Sequence, residues 1–162
     1  LRKGCNGSMT QTKRILLIED NVDDERMTLR ALRRTNIMNE VVVACDGQEA
    51  MRLLFGDDAN PGVPREMESL SLIILDLQLP KVSGLEVLQR IRSTPHTLAI
   101  PVVALTSSED PELLKQAYEC GVNSFLKKPN SADEFDDVVV QCMMYWLLLN
   151  QLPSNHGHGI AS

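Results

Sequence analysis

Apolar residues fall into short runs at regular intervals along the chain. Ile15-Leu16-Leu17-Ile18, Val41-Val42-Val43-Ala44, Leu72-Ile73-Ile74-Leu75 and Val102-Val103-Ala104-Leu105 are continuous, and Ser124-Phe125-Leu126 is a shorter fifth. The first four do not alternate with polar residues, so they predict strands buried on both faces, as in a parallel sheet. Segments with helical spacing lie between them. Met27, Ala31 and Leu32 form one stripe; Ala50, Leu53 and Leu54 a second; Leu85, Leu88 and Ile91 a third. Leu113, Leu114, Ala117 and Tyr118 form a fourth, with Gly121 as its stop signal. Ser131 and Glu134 have capping-box spacing and open the last helix.

Strand and helix thus alternate five times. This order predicts an α/β fold, a doubly wound parallel sheet with helices on both faces. Right-handed crossovers leave the flavodoxin-like (βα)5 arrangement, strand order 2-1-3-4-5, as the common five-stranded solution. Residues 13–150 make up this domain. Residues 1–12 read as an N-terminal extension, of which the eight before Met9 resemble an expression remnant, and 151–162 as a flexible tail. Residues 56–69 hold two prolines and two glycines and read as a long polar loop.

Composition narrows the function. The 162 residues carry 22 acidic and 16 basic side chains, a formal charge of −6, which is a poor basis for phosphate contacts with nucleic acid. Aromatics are 4 %, too few for a base-stacking platform. The longest apolar run, Cys142 to Leu149, has eight residues, far short of the ~20 that a bilayer requires, so no membrane association is expected. No secretory h-region opens the chain, and the expected compartment is cytoplasmic. Cys45, Cys120 and Cys142 lie in apolar stretches and read as small core residues.

In such sheets chemistry sits at the carboxyl ends of the strands. Here the first strand ends in Glu19-Asp20-Asn21, the third in Asp76, the fourth in Thr106-Ser107-Ser108 and the fifth in Lys127-Lys128-Pro129. Carboxylates packed together repel one another, and a hard divalent cation such as Mg²⁺, which prefers oxygen ligands, removes that conflict. A carboxylate beside such a cation can act as a nucleophile toward phosphorus, with a lysine neutralising the charge on the phosphoryl group. Taken singly, Asp20-Asn21 could be a helix cap, Asp76 a turn residue and Lys128 a solvated charge. Their coincidence at four strand ends favours one site.

Four motifs carry a family resemblance: Ile15-Leu16-Leu17-Ile18-Glu19-Asp20-Asn21, Leu75-Asp76 through Pro80 to Gly84, Ala104-Leu105-Thr106-Ser107, and Phe125-Leu126-Lys127-Lys128-Pro129. Through them the chain resembles the response-regulator receiver domains of two-component signalling. The resemblance implies that Asp76 is the phosphoacceptor, assisted by Thr106 and Lys128. It implies Mg²⁺ as cofactor, held by Asp20 and Asp76, by Glu19 through water and by the backbone carbonyl of Gln78. Thr106 and Phe125 match the paired switch positions, and Lys128 is a better match to the phosphate-contacting lysine than Lys127. The protein would then be no turnover enzyme, but a signalling protein that assists its own phosphorylation and dephosphorylation.

Two relatives by architecture fit less well. A flavodoxin needs a Ser/Thr/Gly phosphate cradle where this chain has Glu19-Asp20-Asn21-Val22-Asp23-Asp24. A haloacid-dehalogenase-type phosphatase needs an acid two residues after its nucleophile, where Gln78 stands. A metal-dependent phosphatase and an unphosphorylated dimeric scaffold remain as alternatives.

Only about a dozen residues follow the domain, so the expected form is a stand-alone receiver that signals by protein contacts. The Tyr145-Trp146-Leu147-Leu148-Leu149 ending, Pro95-His96 and the 56–69 loop resemble the receivers paired with bacterial phytochromes. That implies a phytochrome histidine kinase as partner, with a generic single-domain receiver as the alternative. A helix against a sheet needs one apolar stripe, not an apolar circumference. Tyr145, Trp146, Leu147 and Leu148 are therefore interface candidates for a homodimer through the C-terminal helix.

Overall fold

The computed structural model describes residues 13–57, 64 and 67–151. The elements are β1 (Arg14–Ile18), α1 (Val22–Arg34), β2 (Glu40–Ala44), α2 (Gly47–Phe55), β3 (Leu70–Leu75) and α3 (Gly84–Ser93). β4 (Val102–Thr106), α4 (Pro111–Glu119), β5 (Ser124–Lys127) and α5 (Ala132–Met144) follow, with a π-helical turn at Tyr145–Leu149. All strand pairs are parallel, in the order β2-β1-β3-β4-β5. The predicted fold and strand order are those observed.

Successive strand residues point to opposite faces, which is why the runs are apolar throughout. Leu16, Ile18, Ile73, Leu75, Val102 and Ala104 pack under α2, α3 and α4 against Ala50, Leu54, Leu88, Ile91 and Ala117. Ile15, Leu17, Leu72, Ile74, Val103 and Leu105 pack under α1 and α5 against Ala31, Leu32, Phe135, Val139 and Met143. α1 and α5 are also joined by charge. Asp136 is buried and accepts hydrogen bonds from Arg30 (2.9 Å) and Arg34 (3.1 Å), and these guanidinium groups, Arg30 first, hold its carboxyl below the usual range.

Several expectations change. β2 is an edge strand, and only its Ala44 is fully buried, so the reading of that run as buried on both faces was wrong. A hydrophobic run specifies a strand, but the strand order decides how many neighbours cover it. Cys45 is exposed rather than core; its thiol donates to Glu49 Oε2 at 3.0 Å. Cys120 and Cys142 are half-buried and pack against the two cores. In α4 only Ala117 is buried; Leu114 and Tyr118 of its predicted stripe are exposed. The 56–69 loop and the 151–162 tail lie mostly outside the described residues, but Met67, read as loop, is buried in the core.

Gly121 does end α4, at φ +87°, a conformation that side chains with a Cβ disfavour. Ser131 caps α5 by accepting from the backbone N–H of Glu134. Past Met143 the chain divides its apolar residues. The Trp146 indole donates to Ser124 Oγ at 3.1 Å, and Trp146 and Leu147 pack on their own sheet. Met144, Tyr145, Leu148 and Leu149 face outward.

Candidate functional site

Strands β1, β3, β4 and β5 end together on one rim, and the loops that leave them bring the predicted residues into contact. The ladder continues one step beyond the strands: Glu19 N–H donates to Ala44 O, and Asp76 N–H to Ile18 O, both at 3.0 Å. These bonds hold the two carboxylates side by side at the centre of the sheet. Glu19 is 1 % exposed and Asp76 6 %, while Asp20 stands open to solvent. Oxygens of Glu19, Asp20 and Asp76 all lie within 4.8 Å of one another. An all-oxygen set of this kind, with one open side, fits a hard divalent cation.

Lys128 faces the carboxylates. Its Nζ lies 2.7 Å from Glu19 Oε2, 2.7 Å from Asp76 Oδ2 and 2.8 Å from Asp24 Oδ2. Burial alone would lower its pKa, but the hydrogen bonds to Asp24, Asp76 and Glu19 hold it above the usual lysine range. Glu19 shows the opposite balance. Burial pushes its carboxyl up to about 7 although Lys128 pulls it down, and the neighbouring Asp76 adds to the rise. Lys128 is placed by its own backbone N–H, which donates to Thr106 O at 2.8 Å. Lys127 points away and pairs with Glu109 at the surface.

The remaining positions have definite places. Gln78 N–H donates to Asp76 Oδ1 at 2.8 Å, so each Asp76 oxygen has a donor. Thr106 is completely buried at the end of β4. Phe125 pairs in register with Ala104, two residues before Thr106 on the adjacent strand. Thr106 and Phe125 therefore share the sheet face that carries α2 to α4. Asn21, read as a possible cap, does cap α1: its Oδ1 accepts from Asp23 N–H (2.9 Å) and Asp24 N–H (3.2 Å).

Two contacts were not foreseen. One is Asp24 on Lys128. The other is Lys81, which takes a left-handed φ of +66° after Pro80 and pairs with Asp46, the N-cap of α2. Asp24 lies among three acids, Asp23, Asp24 and Glu25, that all suit the first turn of a helix. Only the direction of that turn in space singles one of them out.

The chain belongs to the response regulator receiver domain family, whose pattern it matches over residues 15–140. Rcp1, a response regulator of Synechocystis, is 35 % identical over 142 residues, 88 % of this chain and 94 % of its own. Its Mn²⁺-bound crystal structure superposes with a TM-score of 0.76 over 88 % of this chain and 99 % of that one. The phosphorylated cyanobacterial phytochrome response regulator RcpA is 37 % identical with a TM-score of 0.77, covering 89 % of this chain and all of its own. FilR2 of Methanothrix harundinacea, described as a probable methanogenesis regulatory protein, is 36 % identical over 140 residues, 86 % of each chain. The resemblance to the phytochrome-associated receivers is thus supported by sequence and by structure. No helix among the described residues is long and apolar enough to cross a membrane.

Proposed function

We propose that the protein is a stand-alone response regulator that accepts a phosphoryl group on Asp76 and passes the signal on by protein contacts. The observation that carries this reading is the Lys128 ammonium 2.7 Å from Asp76, which clusters with the carboxylates of Glu19 and Asp20 at the strand ends. Glu19, Asp20, Asp76 and the Gln78 backbone carbonyl would hold the cation, Mg²⁺. When bound it offsets the repulsion among the carboxylates and the charge of the incoming phosphoryl group. An oxygen of Asp76 attacks phosphorus; a P–O bond forms as the bond to the donor breaks. Lys128 is already within reach of that oxygen and neutralises part of the transferred charge. The buried Thr106 hydroxyl turns toward the phosphoryl oxygens, and Phe125, on the same sheet face, follows into the space released. This is a two-state element biased by one new hydrogen bond.

Gln78 offers no general acid, so ester turnover is not expected. The protein acts as a signalling partner in the cytoplasm, assisting only the gain and loss of its own phosphoryl group. The donor is a histidine kinase, and we assign it to the phytochromes because RcpA is a phytochrome response regulator. The test is intact mass after treatment with acetyl phosphate and Mg²⁺. A labile adduct at one phosphoryl per chain is expected. Steady hydrolysis of phosphoesters would instead mark a phosphatase, and no reaction a scaffold.

We also propose a homodimer through the C-terminal turn. Tyr145 (51 %), Leu148 (56 %) and Leu149 (73 %) are exposed, whereas Trp146 and Leu147 are turned toward their own sheet. An outward aromatic among leucines suits a two-fold contact. Leu148→Arg should give a folded monomer, because it adds charge to the contact and removes nothing from the core. Sedimentation decides this: a wild-type protein that stays monomeric, phosphorylated or not, refutes the dimer.

A further inference from the structure

The Lys128 ammonium has three N–H bonds, and all three are used, by Glu19, Asp76 and Asp24. Two of these acceptors belong to the carboxylate cluster; Asp24 does not. The oxygens that Lys128 occupies on Glu19 and Asp76 are the ones not taken by backbone donors. Glu19 Oε1 accepts from Asn21 N–H at 3.2 Å and Asp76 Oδ1 from Gln78 N–H at 2.8 Å. A cation entering the cluster therefore competes with Lys128 for the same carboxylates, and it also repels the ammonium. Asp24 is fixed independently of the cluster. It sits in the first turn of α1, and its backbone N–H is held by the Asn21 cap.

We propose that Asp24 is a positioning residue for Lys128, retaining the ammonium beside Asp76 while Glu19 and Asp76 turn to a divalent cation and a phosphoryl group. This rests on the phosphoacceptor reading above. Without Asp24, Lys128 depends on Glu19 and Asp76 alone, so the cation must displace it outright. Once displaced, the lysine has nothing to hold it within reach of the phosphoryl oxygens.

Asp23 supplies the control. It is the adjacent residue with the same charge, exposed, and its ion-pair partner is Arg26 at 3.8 Å. Asp23→Asn and Asp24→Asn remove equal charge, but only the second removes the lysine contact. The measurement is Mg²⁺ affinity by calorimetry on the full chain, with the rate of labelling by acetyl phosphate at saturating Mg²⁺. Asp24→Asn should weaken Mg²⁺ binding at least about fivefold and slow labelling by a similar factor, with Asp23→Asn within about twofold of wild type. Asp24→Glu should recover part of both losses. In a Lys128→Gln background, Asp24→Asn should have no further effect on Mg²⁺ binding, because its contact is already gone. Equal effects of the two Asn variants, or an Asp24→Asn loss that persists without Lys128, would overturn the assignment. A wild-type protein that neither binds Mg²⁺ nor takes label would overturn the phosphoacceptor reading itself.

Discussion

Asp76→Asn should take no label from acetyl phosphate while leaving the protein folded. The amide has no anionic oxygen to attack phosphorus, and no second carboxylate can stand in for it. Glu19, the other buried carboxylate of the cluster, follows the adjacent strand β1, so it does not occupy the place of Asp76. The effect on stability should be small because two terms oppose. The variant weakens one charge-assisted bond to Lys128, worth about 1.5–3 kcal/mol. It also relieves repulsion in a site where Glu19, Asp20, Asp24 and Asp76 face a single lysine. The Asn side-chain oxygen still accepts from Gln78 N–H, so the loop keeps its shape. A net change within about 1 kcal/mol is expected in a denaturant titration. Labelling of the wild type should also stop in excess chelator, since the carboxylates then repel the donor. Full-size adduct on Asp76→Asn, or undiminished wild-type labelling in chelator, would remove Asp76 or the cation from the site.

Much of this arrangement was legible in the sequence because two periodicities coincide with chemistry. Continuous β-branched runs specified strands, their alternation with helical stripes specified the sheet, and the sheet specified where its carboxyl ends meet. Glu19, Asp76, Thr106 and Lys128 then fell together because each stands at or just beyond the end of its strand. The rest depends on geometry that the local residues do not specify. Val41, Val42 and Val43 are as apolar as the runs around them, but β2 has one neighbour, and coverage depends on strand order rather than on the strand's own residues. Cys45, one residue past the end of β2, is exposed as well. Leu147 cannot be told from Leu148 and Leu149 by residue type. The π-helical turn rotates the side chains away from the α-helical stripe, and no sequence rule applied to the segment contains that rotation. Arg92 is a further case. It was not singled out in the sequence, and its guanidinium donates to the carbonyls of Gly121 (2.7 Å), Leu98 (3.1 Å) and Ile100 (2.9 Å) and to Asn123 Oδ1 (2.6 Å). These bonds tie the end of α3 to the segments that lead into β4 and β5.

Gly84→Ala should cost both stability and labelling, and the reason lies in the backbone that carries Asp76. Gly84 opens α3, where glycine has no advantage as a helix former. Its place is set by a close approach instead. A Cβ there would lie 2.4 Å from the carbonyl oxygen of Asp76 and 2.5 Å from Leu77 Cα, inside any real contact distance. Neither side yields easily. α3 is fixed by a capping box, with the Ser83 and Glu86 side chains each bonded to the other's backbone N–H. The Asp76–Leu77 segment is fixed by Asp76 N–H to Ile18 O and by Gly84 N–H to Leu77 O. The strain should therefore reach the upper end for an overpacked site, about 3 kcal/mol. The Asp76 peptide must also move, and a displacement near 1 Å is enough to slow a positioned reaction about 100-fold. Gly121→Ala separates this local effect from loss of stability in general. It forces a Cβ into a left-handed conformation at a cost of about 1–2 kcal/mol, but at the far end of α4, against the Arg92 side chain. Gly121→Ala should thus melt earlier yet label at the wild-type rate, whereas Gly84→Ala should be slow even at temperatures where it is fully folded. If the two variants lose labelling only in proportion to their loss of folded protein, the α3 approach does not position Asp76.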